Sequence, residues 1–207
     1  MMLIITLKAF SLLAVLFLAG CASVNLPTEK ELNQILEQQK VIVLLKINAT
    51  RDGKPFEPFK SEFTEVNVHF GLGNFETGGK PKPVLTQRFL SQESRKEGWT
   101  YFIIKPEIYY LIFYPLHYGG PFPSDDFPRW KFTIPKSAKY IYIGTARFNF
   151  KNHTEIHYDS LVIENDDIEA EMLISKYLSA DEKELSVSLM KKYKGGAIEL
   201  RRPIDKE

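Results

Sequence analysis

Cysteine occurs once in this 207-residue chain and histidine four times, and 27 lysines and arginines stand against 26 aspartates and glutamates. A single cysteine excludes an intrachain disulfide, so the fold rests on its core. A net charge of +1 gives no argument for a nucleic-acid partner or a polyanionic surface. No apolar run reaches the roughly 20 residues that a membrane-spanning helix needs. No Gly-x-Ser-x-Gly elbow occurs. The run Gly71-Leu72-Gly73-Asn74 lacks the later glycine, the lysine and the helix start of a phosphate loop. What the chain does have is 44% hydrophobic and 13% aromatic residues, enough at this length for one domain with its own core.

Residues 9–19 are predominantly apolar, follow Lys8 and end in Leu18-Ala19-Gly20-Cys21. That length suits the core of a signal peptide. The segment closely resembles the signal peptides of bacterial lipoproteins, whose lipobox reads Leu-Ala-Gly-Cys. The resemblance implies cleavage before Cys21, diacylglycerol on its sulfur and a fatty acyl group on its new amine, with no other cofactor. The lipid bilayer is then a partner through Cys21, and no thiol is left for catalysis. Ala22-Ser23 lacks the aspartate linked to inner-membrane retention. The resemblance therefore implies the outer membrane, with the protein facing the periplasm. Loss of the leader removes Lys8 and leaves basic and acidic side chains in balance.

The chain divides into a leader (1–20), a lipidated tether (21–27), one domain (28–201) and a tail (202–207). Thr28-Glu29-Lys30-Glu31 reads as a capping box that opens a helix ending near Gln39. Val41–Asn48 is apolar on both faces at its start, which predicts a buried strand. Val66–Leu72 alternates as a strand with one wet face, Gly71–Pro83 reads as a loop, and Val84–Leu90 as a weaker strand. Trp99–Lys105 and Ile108–Tyr114 are apolar on both faces, and Lys105-Pro106-Glu107 predicts a tight turn joining them as a central hairpin. Strands at Trp130–Ile134, Tyr140–Phe150 and Glu155–Ile163 follow, with Gly144 marking a bulge or a close contact. Asp166 or Asp167 caps a helix with Ala170, Leu173, Ile174 and Tyr177 on one face. A second capping box at Ser179–Glu182 predicts another helix, ending at Gly195-Gly196.

This order predicts a mainly β chain: an antiparallel β-sandwich with a short N-terminal helix and two C-terminal helices. The runs Trp99-x-Tyr-Phe-Ile-Ile-Lys-Pro-x-x-Tyr109, Phe132-Thr-Ile-Pro135 and Tyr140-Ile-Tyr-Ile-Gly-Thr145 are similar to uncharacterised bacterial lipoproteins. Those carry an immunoglobulin-like or carboxypeptidase-regulatory-like sandwich. The resemblance covers about a quarter of the chain and implies that fold, without an activity.

Two segments carry candidate chemistry. His153, Glu155, His157 and Asp159 alternate, so on a strand they share a face. There, His153 and His157 stand about 13 Å apart, a span that only a bulge would close around one ion. A metal-assisted hydrolase using His153, Glu155 and His157 is one reading, and a solvated strand face is the other. The loop Pro115–Arg129 carries prolines and aromatics that favour docking at low entropic cost, with Tyr118, Phe122 and Phe127 as contacts. Its alternative role is to cover the edge of the sandwich. His69 lies on the polar face of its strand and His117 in the aromatic loop, and neither has a neighbour suggesting a triad. The sequence thus favours a lipid-anchored module that binds or scaffolds an envelope protein. The rivals are the hydrolase and a small-ligand or glycan-binding sandwich.

Overall fold

Strand β1 (Val41–Arg51) is apolar on both faces over Val41–Leu45, where it is covered on both. The computed structural model describes residues 24, 26–51, 53–59, 67–75, 82–83, 88–116, 128–151, 155–156 and 160–193. In it, Val41, Val43, Leu45 and Ile47 face one apolar layer, and Ile42 and Leu44 face a second. The first layer lies between two β-sheets. The second lies between β1's sheet and the helices outside it.

Helix α1 (Glu29–Glu37) leads into β1. Its capping box forms as the sequence predicts: the Thr28 N–H donates to Glu31 Oε2 at 2.8 Å, and the Glu31 N–H donates to Thr28 Oγ1 at 3.3 Å. There follow β2 (Lys54–Phe56), β3 (Asn67–Asn74), β4 (Lys82–Pro83), α2 (Gln92–Lys96), β5 (Trp99–Ile104), β6 (Ile108–Leu116) and β7 (Trp130–Thr133). Next come β8 (Tyr140–Lys151), β9 (Glu155–Ile156), β10 (Val162–Glu164), α3 (Asp167–Leu178), β11 (Leu185–Val187) and β12 (Lys191–Lys192). In the first sheet β8 and β1 are central. β10, β9 and β11 lie on the outer edge of β8, and β5 and β2 on the outer edge of β1. The second sheet runs β12-β7-β6-β3-β4. The chain is therefore mainly β, with two sheets and three helices among the described residues. Rings meet across the inter-sheet layer, Phe70 with Phe102 at 5.8 Å and Phe113 with Phe148 at 6.0 Å between centroids.

Three expectations are corrected. The sheets are not all antiparallel, because β1 pairs in parallel with β8, and so does β11. The runs around Lys105-Pro106-Glu107 do not form a hairpin: β5 pairs with β1 in the first sheet, and β6 with β3 and β7 in the second. Three residues suffice to cross the roughly 10 Å between packed sheets, and each strand finds its own flanking partners. The second C-terminal helix is a single 3₁₀ turn, Glu182–Glu184, in which the Lys183 N–H donates to Asp181 Oδ1 at 2.9 Å. Ser186-Val187-Ser188 are weak helix formers, and the chain turns extended there to pair with Tyr140–Tyr142.

Gly144 produces the expected bulge. Between Leu44 and Lys46 of β1, strand β8 advances from Tyr142 to Thr145 and so inserts one extra residue. Ile141 and Ile143 face the inter-sheet layer before the bulge, and Ala146, Phe148 and Phe150 face it after. The extra residue switches the parity of the strand. Gly144 has φ +115°, and a side chain there would meet Ile163.

Candidate functional site

Beyond the bulge the helix-facing row of β1 ends in a charge, Ile42, Leu44 and then Lys46. Lys46 pairs in register with Trp99, the first residue of β5. Helix α3 lies over this face with Ala170, Leu173, Ile174 and Leu178 buried. Its neighbouring flank carries Glu169, Met172 and Lys176 at helical spacing. Between that flank and the corner at Glu97 runs a groove of about 710 Å³. Trp99, only 3% exposed, lies at its base, and Met172, 66% exposed, stands on its wall.

Both cations of the groove are engaged. Lys46 donates to Glu169 Oε2, and its ammonium lies 5.3 Å from the centroid of the Trp99 ring. Lys176 donates to Glu93 Oε2 at 2.9 Å, and the Tyr177 hydroxyl donates to the same oxygen at 3.1 Å while accepting from Ser91 Oγ at 2.9 Å. This network ties α3 to α2. The hydrogen bond from Lys176 holds the Glu93 carboxyl below its ordinary range and raises the Lys176 pKa. Glu97 and Glu182 add two carboxylates at the rim, neither with an ion-pair partner among the described residues. The groove therefore combines an apolar wall with an excess of negative charge.

The upper end of α3 is pinned by a buried hydroxyl. Tyr142 Oη lies 2.7 Å from Thr145 Oγ1 and accepts from the Asp166 N–H at 3.2 Å. Burial pushes the Tyr142 pKa up to about 12, so it is a neutral positioning group. Asp166 does stand at the N-cap position, but its side chain makes no capping bond.

The site residues chosen from sequence fall elsewhere. Cys21, Tyr118, Phe122, Phe127, His153 and His157 lie outside the described residues. Of Glu155 the strand position alone is described, opposite Lys151 in the β8–β9 pair. Among the described residues, no group of three or more His, Cys, Asp and Glu side chains converges as a metal site. Among them, too, no helix is long and apolar enough to cross a membrane. His69 is half-buried on the face of β3 opposite Val68 and Phe70, and burial lowers its pKa. Sequence reasoning missed Lys46, Trp99, Glu169 and Met172. One signal was present: Lys46 is the only charge in the run Val41–Ala49. No family model matches the chain, and no curated protein or solved structure matches it either.

Proposed function

We propose that this chain is a lipid-anchored protein of the bacterial envelope that binds a partner without catalysing a reaction. The lipobox Leu18-Ala19-Gly20-Cys21 supports the anchor, with acyl chains on Cys21 and the outer membrane, facing the periplasm, as its site. The observation that carries the binding role is the groove beside α3. Its volume suits a ligand site. Its exposed Met172 has an unbranched side chain that adapts to varied apolar surfaces. Its lysines are held in ion pairs by Glu169 and Glu93. The charge left over at Glu97 and Glu182 favours a partner segment that presents an apolar side chain beside a cation. An immunoglobulin-like assignment adds nothing to this reading, since that sandwich implies no activity of its own.

The test is in-cell photo-crosslinking from Met172 with Cys21 intact, using Lys136, exposed and outside the groove lining, as the control position. A discrete adduct at Met172 that Glu97→Lys weakens is the expected result. Equal labelling from Met172 and Lys136 would remove the groove from consideration.

A further inference from the structure

Val24 already belongs to the fold. It pairs in parallel with Phe89 and packs against the inter-sheet layer. Residues 88–89 in turn border β5: the Tyr101 N–H donates to the Arg88 carbonyl at 3.0 Å, and Thr100 Oγ1 donates to the same oxygen at 3.1 Å. Among the described residues, Val24 is therefore the outermost rim of the first sheet on the β5 side. Helix α2 is fixed to this rim, with the Arg95 guanidinium 5.4 Å from the centroid of the Phe89 ring. Pro27 is buried and Thr28 caps α1, so the chain stays engaged beyond Val24.

Three peptide links connect Cys21 to Val24, and they span at most about 11 Å. Given the lipid anchor proposed above, the rim cannot stand away from the membrane as a module on a long flexible linker would. Leu26, two residues further on, is apolar and 48% exposed. We infer that this rim, comprising Val24, Leu26 and the adjoining α2, is a lipid-facing surface whose occupant is the bilayer that holds Cys21. The sheet extends from it through residues 88–89, β5, β1 and β8 to β10. Five strand spacings place the β10 edge about 24 Å farther from the headgroups. The domain thus stands on one sheet edge, with β10 and β11 directed away from the lipid.

The orientation can be measured on the full lipidated chain. Cys21 is the only cysteine and its thiol is consumed by lipid, so a cysteine introduced at Gln92 of α2 or at Val162 of β10 takes a donor dye alone. Each protein is reconstituted into vesicles of phosphatidylethanolamine and phosphatidylglycerol that carry a headgroup acceptor. Energy transfer from Gln92→Cys is expected to be several-fold stronger than from Val162→Cys. A long Gly/Ser insert between Ser23 and Val24 should abolish the difference. Equal transfer from both positions in protein whose mass shows acylated Cys21 would overturn this orientation and leave the anchor standing. Protein with unmodified Cys21 would overturn the anchor itself, and the orientation with it.

Discussion

The two faces of the first sheet are packed with different aromatics. Between the sheets lie Phe59, Phe70, Phe89, Phe102, Phe113, Phe132, Phe148 and Phe150, joined by Tyr109 and Trp130. Beneath the helices the buried aromatics are Trp99, Tyr101, Tyr140 and Tyr142, with no phenylalanine among the described residues. A layer closed by a second sheet offers few polar partners, so rings without a polar end fill it. A layer roofed by helices has helix ends and loops within reach, and each hydroxyl or ring edge can meet one. The groove opens on this second side, where apolar packing and charge lie together.

The largest effect should follow from emptying the phenylalanine layer. Phe148 is 1% exposed and touches both Phe113, across the sheets, and Phe150. Phe148→Ala should cost about 3–5 kcal/mol through lost burial and the cavity left behind. Urea unfolding reads this directly, and a loss below about 1 kcal/mol would show that the layer is loosely packed.

On the tyrosine side the vulnerable element is a hydroxyl rather than a volume. Tyr142→Phe keeps the ring but removes the partner of Thr145, which is fully buried, and the acceptor of the Asp166 N–H. The expected cost is about 1–3 kcal/mol, set by the unsatisfied groups it leaves. Amide exchange should quicken first at the start of α3. Unchanged exchange there would mean that α3 is positioned by its apolar contacts alone.

Much of the layered order was legible in local patterns. Apolar residues on both faces of Val41–Leu45 announced a strand covered twice, the Thr28–Glu31 capping box opened α1, and Ala170, Leu173 and Ile174 gave the buried face of α3. Gly144 announced the bulge. Sheet membership was not legible, because a strand that is apolar on both faces matches any sheet. Thus β5 and β6, adjacent in sequence, read as a hairpin although they separate. The groove was hidden for a related reason: Lys46 and Glu169 are 123 residues apart, and only the crossing of α3 over β1 joins them. The aromatic loop and the paired histidines drew the site reading toward composition, and Tyr118, Phe122, Phe127, His153 and His157 lie outside the described residues.

The smallest expected effect concerns the outer face of the second sheet, where none of the three helices packs. His69 is half-buried there in β3, and desolvation holds its folded-state pKa below the ordinary 6.5. The neutral imidazole is thus the form the fold prefers. Above pH 6.5 the folded and unfolded chains both carry it neutral, and the contribution of His69 to stability is fully present. As pH falls below that value the unfolded chain takes up the proton first, so stability declines until the folded-state pKa is passed. Between about pH 7.5 and about pH 5.5 the wild-type chain should therefore lose more stability than His69→Gln. Parallel urea titrations of the two proteins at both pH values isolate this difference from the carboxylates they share. Identical pH dependence would mean that His69 is as well solvated in the fold as in the unfolded chain, and that the outer face of the second sheet is wetter than its burial implies.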